Sequence, residues 1–240
     1  MRTFLVAVAA ASLLPAASRV ALAQDEGDSD VAAWLAMTFT PYGALPPLAT
    51  RGMAGIGSGE RRTGAFEIRY GRWGFEDEET WNTIGLGGRA GPVGFTLGYG
   101  KCSGCDEGLI MGQVDFESIL ARSPFGPDTS GGSFAIGVRP SAGFGKPTEG
   151  DGSALAANID LPMSFSMPVG ERSHMVPFVT PGIGAGRFAD DFDSETGFRA
   201  SIALGMTFFV SDALGINAAW RKIFIDEGPS TFGVGVSVGR

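Results

Sequence analysis

The chain has 240 residues, enough for one sizeable domain and too few for two large ones. At 44% hydrophobic and 18% charged it is too apolar to be disordered, and its formal charge of −8 excludes the clustered Lys and Arg that a nucleic-acid surface requires. Glycine is the outlier at 38 residues, set singly within apolar–polar alternation and never in collagen-like triplets.

In chain order, residues 1–23 read as a signal peptide. Arg2 gives the positive start, Phe4 to Ala17 are apolar, and Ala21-Leu22-Ala23 offers small residues at the cleavage position before Gln24. Pro15 and Arg19 interrupt the run, which falls short of the ~20 apolar residues of a spanning helix. Loss of Arg2 and Arg19 with this leader takes the formal charge from −8 to −10. Residues 24–30 form a flexible acidic lead, and residues 31–240 are expected to be a single β-barrel domain.

From Val31 onward the hydrophobic period is 2, the mark of strands with two unlike faces. Val31, Ala33, Leu35, Met37 and Phe39 alternate with Trp34, Thr38 and Thr40, and 51–59 is a weaker candidate; together 31–59 could form a first hairpin, with an inserted plug or a loose arm as the alternatives. Ten strands follow near 64–74, 80–90, 92–101, 108–121, 133–145, 153–167, 175–188, 197–210, 213–224 and 230–240. The reading is all-β, an antiparallel up-and-down transmembrane β-barrel of 12 strands if that hairpin joins the wall, with 10 as the alternative. Pro162, Pro177 and Pro181 fall inside predicted strands, where each removes a ladder donor and calls for a bulge or a break.

The two faces carry the argument for lipid. Phe232, Val234, Val236 and Val238 share one face; Gly233, Gly235, Ser237 and Gly239 share the other. A soluble sandwich would show Lys, Glu and Thr on its outer face. Here the second face is small, which suits an enclosed interior with lipid outside. The connections agree. Those after odd strands are acidic (Glu76 to Glu79, Asp106-Glu107, Glu149 with Asp151, Asp190 to Glu195, Asp226-Glu227) and hold 14 of the 26 acidic residues. Those after even strands include very tight ones, Ala90-Gly91-Pro92 and Ser211-Asp212. An up-and-down barrel places these two sets at opposite ends.

Charges of both signs are too costly to face hydrocarbon, so Glu67, Arg69, Asp115, Glu117, Arg139, Asp160, Arg199 and Arg221 are expected to line the lumen. Trp34, Trp73, Trp81, Trp220, Tyr70 and Tyr99 fall near strand ends and suit interfacial girdles. Cys102 and Cys105 are expected to close a small disulfide at a loop tip, as befits an exported protein. Asp191, Asp193 and Glu195 are a weak calcium candidate against an ordinary solvated loop; no metal or other cofactor is otherwise expected. His174, the single histidine, sits beside Ser173 and Glu171 in a connection that matches no catalytic arrangement, and Gly85 to Ala90 fits a dinucleotide pattern without the following helix that pattern needs. No enzyme activity is expected.

These features together resemble small outer-membrane β-barrel proteins of the OmpA-like or OmpW-like kind. The resemblance covers nearly all of the chain after the leader and ends on the strand Phe232-Gly-Val-Gly-Val. One departure is that this chain closes on Val238-Gly239-Arg240, where such proteins carry a terminal aromatic read by the assembly machinery. The resemblance implies location in a bacterial outer membrane, with lipid, lipopolysaccharide and that assembly machinery as partners. Function is then expected to be a narrow passive pore for ions or small polar solutes, or alternatively a plugged structural or surface-interaction barrel with acidic outer loops. A barrel lipid hydrolase is the remote third.

Overall fold

A computed structural model describes residues 35–48, 64–74, 80–104, 106, 108–124, 132–149, 152–170, 173–189, 194–211, 213–224 and 230–239. Twelve strands are formed: β1 (Gly64–Gly74), β2 (Thr80–Ala90), β3 (Val93–Ser103), β4 (Gly108–Phe116), β5 (Ser118–Pro124), β6 (Ser133–Pro147), β7 (Ser153–Asp160), β8 (Met163–Pro168), β9 (His174–Ala189), β10 (Ser194–Phe209), β11 (Leu214–Ile223) and β12 (Ser230–Gly239). Ten of them, β1-β2-β3-β4-β6-β7-β9-β10-β11-β12, form a closed antiparallel circuit. It closes where β1 pairs with β12, from Ala65 opposite Gly239 to Trp73 opposite Thr231.

β5 and β8 continue the lines of β4 and β7 and pair on β6, so the ten predicted strands map onto the ten of the circuit. The two interruptions have local causes. After Phe116 the chain passes the end of the β2–β3 turn, and Glu117 N donates to Pro92 O at 2.9 Å. Between β7 and β8 stands Pro162, which has no N–H to give. The prolines of β9 answer this gap. Pro181 accepts from Leu161 at the break, and the β8–β9 ladder skips from Ser164–Phe178 to Met167–Met175, past Pro177. The missing donors therefore fall where the neighbouring strand makes no demand on them.

The bulky face points outward, as the alternation predicted. Leu97 is 63% exposed, Phe232 56% and Phe95 54%, and every strand of the circuit shows the same out–in pattern where its side chains are described. An all-round apolar exterior on a closed barrel is the surface of a membrane-spanning sheet: lipid replaces water as its solvent, and closure leaves no edge needing hydrogen bonds. No helix among the described residues is long and apolar enough to cross a membrane.

The upstream hairpin is corrected for the residues described. Leu35 to Leu48 lie inside the barrel and add no strand to its wall. Residues 35–38 are helical, and helix α1 (Pro41–Ala44) follows as one turn. Pro41 opens α1, where a missing N–H costs nothing, and Leu45 N closes it on Pro41 O at 3.3 Å. The alternation misled because a segment enclosed on every side has no solvent face, so its apolar residues carry no periodicity to choose strand over helix. The remainder of that expected hairpin, residues 49–59, lies outside the described residues, as do the signal peptide and the acidic lead.

Candidate functional site

Fourteen residues, 35–48, occupy the lumen, and its inner wall is shaped to take them. Small residues on that wall make the room. A methyl group at Gly145 would collide with the carbonyl of Phe39, and one at Gly71 with the carbonyl of Ala44. Only a bare Cα lets the two backbones approach so closely.

Toward the acidic-loop end the contact is aromatic. Trp73 and Trp81 stack with ring centroids 5.4 Å apart and planes 1° from parallel, and Phe39 packs on them at 5.6 and 5.7 Å and on Phe188 at 6.1 Å. This corrects the girdle assignment for two residues. Trp73 (1% exposed) and Trp81 (6%) share the inward parity of their strands and form a dry internal layer with Leu109, Met111 and Cys102. Trp220, Tyr70 and Tyr99 do face outward, and Tyr70 Oη donates to Asn82 Oδ1 at 2.6 Å. Trp34 is outside the described residues.

Below this layer the wall reads the backbone of the inserted segment. Five of its carbonyls accept hydrogen bonds from the barrel: Tyr42 O from Arg221, Gly43 O from Thr231, Pro46 O from Arg69 at 3.0 Å, Pro47 O from Asn217 at 3.3 Å, and Leu48 O from Arg139 at 3.4 Å. Pro46 and Pro47 cannot enter a helix or a ladder through an N–H, so their carbonyls must find partners elsewhere, and buried carbonyls without partners are costly.

The same arginines hold carboxylates of the wall. Arg221 binds Asp160 at 3.1 Å, Arg139 binds Glu117 at 2.8 and 3.0 Å, and Arg69 lies 3.7 Å from Glu67 and donates to Thr96. Arg89 binds Asp115 and donates to Pro92 O at 3.1 Å. Four cations thus face four anions. The cluster is neutral as a whole, the condition under which charges tolerate an enclosed interior. Tyr42 joins it from the inserted side. Its hydroxyl donates to Asp160 at 2.7 Å and lies 2.6 Å from Ser201 Oγ, while the Arg221 guanidinium sits 3.9 Å over its ring. Burial, and then the negative charge of Asp160, hold the Tyr42 phenol well above its ordinary pKa, so it remains a donor at any working pH.

Seven of the eight sequence-predicted lumen residues come together here: Glu67, Arg69, Asp115, Glu117, Arg139, Asp160 and Arg221 are all buried. Arg199 does not. It has the inward parity of β10 but stays half-buried near the acidic end, with Nη1 donating to Phe198 O at 2.8 Å. Sequence reasoning missed Arg89 and Tyr42. Arg89 was legible from parity, because Thr83, Gly85 and Gly87 of the same strand all point inward. Tyr42 was not, because nothing in a period-2 reading places a helical turn in the lumen. Between wall and inserted segment remains a cavity of about 40 Å³, lined by Glu67, Arg69, Thr96, Gln113, Asp115 and Arg139 among others. That holds a few waters and no larger solute.

No group of three or more His, Cys, Asp or Glu able to hold a metal occurs among the described residues. The calcium candidates Asp191 and Asp193, and the side chain of Glu195, lie outside them, as does Cys105, the expected disulfide partner of Cys102. His174 opens β9 opposite Pro168 and Phe209, and Ser173 Oγ donates to Val210 O at 3.3 Å.

Fold and site define a transmembrane β-barrel whose lumen is occupied by its own upstream segment. Among solved structures the chain is similar to Ail, the attachment invasion locus protein of Yersinia pestis (12% identity, TM-score 0.34, covering 74% of this chain and 96% of that one). It is also similar to the outer membrane enzyme PagL (10%, 0.38, 72% and 98%) and to KdgM porin (7%, 0.37, 72% and 98%). No family model and no curated protein matches the chain.

Proposed function

We propose that this protein is a plugged barrel of a bacterial outer membrane, a structural or surface-interaction element that carries acidic loops at one end and has no catalytic chemistry of its own. The observation that carries the reading is the seat of residues 35–48. Five wall residues from four strands bind five backbone carbonyls of the segment, and three of them are arginines already neutralised by wall carboxylates. A lumen shaped for passage would not devote its charges to its own backbone. The outer-membrane location is supported by the closed antiparallel architecture with an even strand circuit and by the leader-like sequence of residues 1–23.

Planar-bilayer recording tests it. The full chain is expected to give no steady unit current, and deletion of residues 35–48 to give stable conductance steps from a barrel that still resists unfolding in cold SDS. Steady currents from the full chain would reject the plug. The second reading, a narrow pore for ions or small polar solutes, is favoured by the charges of both signs that line the lumen. It requires those full-chain currents to fall when Arg139 and Arg199 are neutralised.

A further inference from the structure

The inserted segment has a direction. Phe39 packs on Trp73, next to last in β1, on Trp81, second in β2, and on Phe188, next to last in β9. These are the ends of the strands that border acidic loops. Leu35 and Met37 group with Ile223, the last residue of β11, and with Ala156 near the start of β7, at the same end of the barrel. Leu48 lies farther down. Its carbonyl accepts from Arg139, which stands opposite Asp160 at the turn end of β7. Residues 49–63 then join Leu48 to Gly64, where β1 starts at the turn end. Read forward, the chain therefore descends the lumen from the acidic-loop end.

A return pass finds no room at the upper level. Phe39 meets side chains of β1, β2 and β9 there, and its carbonyl lies against Gly145 of β6. Met37 packs with residues of β7 and β11. One segment thus touches walls on all sides of the circuit, and close-packed interiors leave few voids larger than a water. The cavity between wall and segment lies farther down, among Glu67, Arg69 and Asp115, and is of water size. Ala36, Met37 and Thr38 are buried, whereas Leu35 is half-exposed, as a residue at the mouth would be.

The circuit alone would place both chain ends together. An even antiparallel circuit starts and finishes at one end, and Ala65 stands opposite Gly239. The seat of residues 35–48 separates them. We infer that the chain upstream of Leu35 leaves the barrel at the acidic-loop end, so that the amino terminus and the acidic loops share one side of the membrane and the carboxyl terminus takes the other. The inference rests on the plug. With the longer loops outward, as barrels of this architecture place them, the protein presents its own amino-terminal residues at the cell surface. Cleavage after Ala23 would then add Asp25, Glu26, Asp28 and Asp30 to the acidic face.

The test puts one epitope tag into the full chain at each of three sites: between Gln24 and Asp25, after Glu227 in an acidic loop, and after Arg240. Each version is produced in a Gram-negative host, checked for its folded band in cold SDS, and scored for antibody binding on intact cells and after the outer membrane is permeabilised. The first two tags are expected to respond alike on intact cells, and the third to respond only after permeabilisation. An upstream tag that behaves like the carboxyl-terminal tag overturns the inference, whichever end faces outward. Planar-bilayer recording separates the two ways of failing: a silent chain keeps the plug and loses only its direction, whereas steady currents remove the plug as well. Should the upstream tag block assembly, Ser29→Cys replaces it, read with a membrane-impermeant maleimide and the unmodified chain as the blank. Labelling of that cysteine only under the conditions that expose the carboxyl-terminal tag overturns the inference equally.

Discussion

Asp160 is held from both sides: Arg221 of the wall and the Tyr42 hydroxyl of the inserted segment both bind it at 3% exposure. Removing one partner of such a buried pair leaves the other charge without compensation, which costs far more than the pair contributes by existing. Asp160→Ala is therefore expected to destabilise the barrel by about 3–5 kcal/mol in urea unfolding from lipid, whereas Asp160→Leu with Arg221→Met should cost much less than the sum of the single changes. Additive single and double losses would show that the two side chains do not act as a unit. Arg89 teaches a different lesson at the same scale. It sits inside a glycine pattern whose resemblance to a nucleotide loop draws attention away from it, yet strand parity alone points it at Asp115.

Among elements, the inserted segment decides what the lumen is. Its fit depends on close approach as much as on hydrogen bonds, because Phe39 O lies where a Cβ at position 145 would stand. Gly145→Val should thus dislodge the aromatic layer without disturbing β6, since valine suits a strand and only the plug objects to it. Fluorescence of Trp73 and Trp81 should shift to the red and become accessible to an aqueous quencher, while the folded band in cold SDS persists. Unchanged emission would mean that the segment leaves room for a side chain there. The interrupted strands are a milder case. Pro162 and the two β9 prolines marked the region as irregular in the sequence, and the irregularity proves to be a shared gap between β7, β8 and β9.

At the scale of the whole molecule the governing quantity is the solvent of each face. Leu97, at mid-strand and 63% exposed, faces the hydrocarbon, while its neighbour Thr96 is 3% exposed and faces the lumen. Leu97→Arg is expected to cost about 2–4 kcal/mol in the free energy of folding into bilayers, and the same substitution at Phe66, nearer the strand end, to cost less. Equal penalties at the two positions would mean that the outer surface does not span a hydrocarbon layer.

The sequence by itself determined the ten strands of the circuit, their faces, the end at which the acidic loops gather and seven of the eight charges that meet inside. A strand between lipid and lumen has two unlike environments, and that difference is written as period 2. It could not determine that residues 35–48 fill the lumen, that Trp73 and Trp81 stack there, or that the arginines bind the backbone of the chain's own upstream segment. A segment surrounded on all sides by protein has one environment, so its residues record burial without direction; only closure of the barrel around it decides which carbonyl meets which guanidinium.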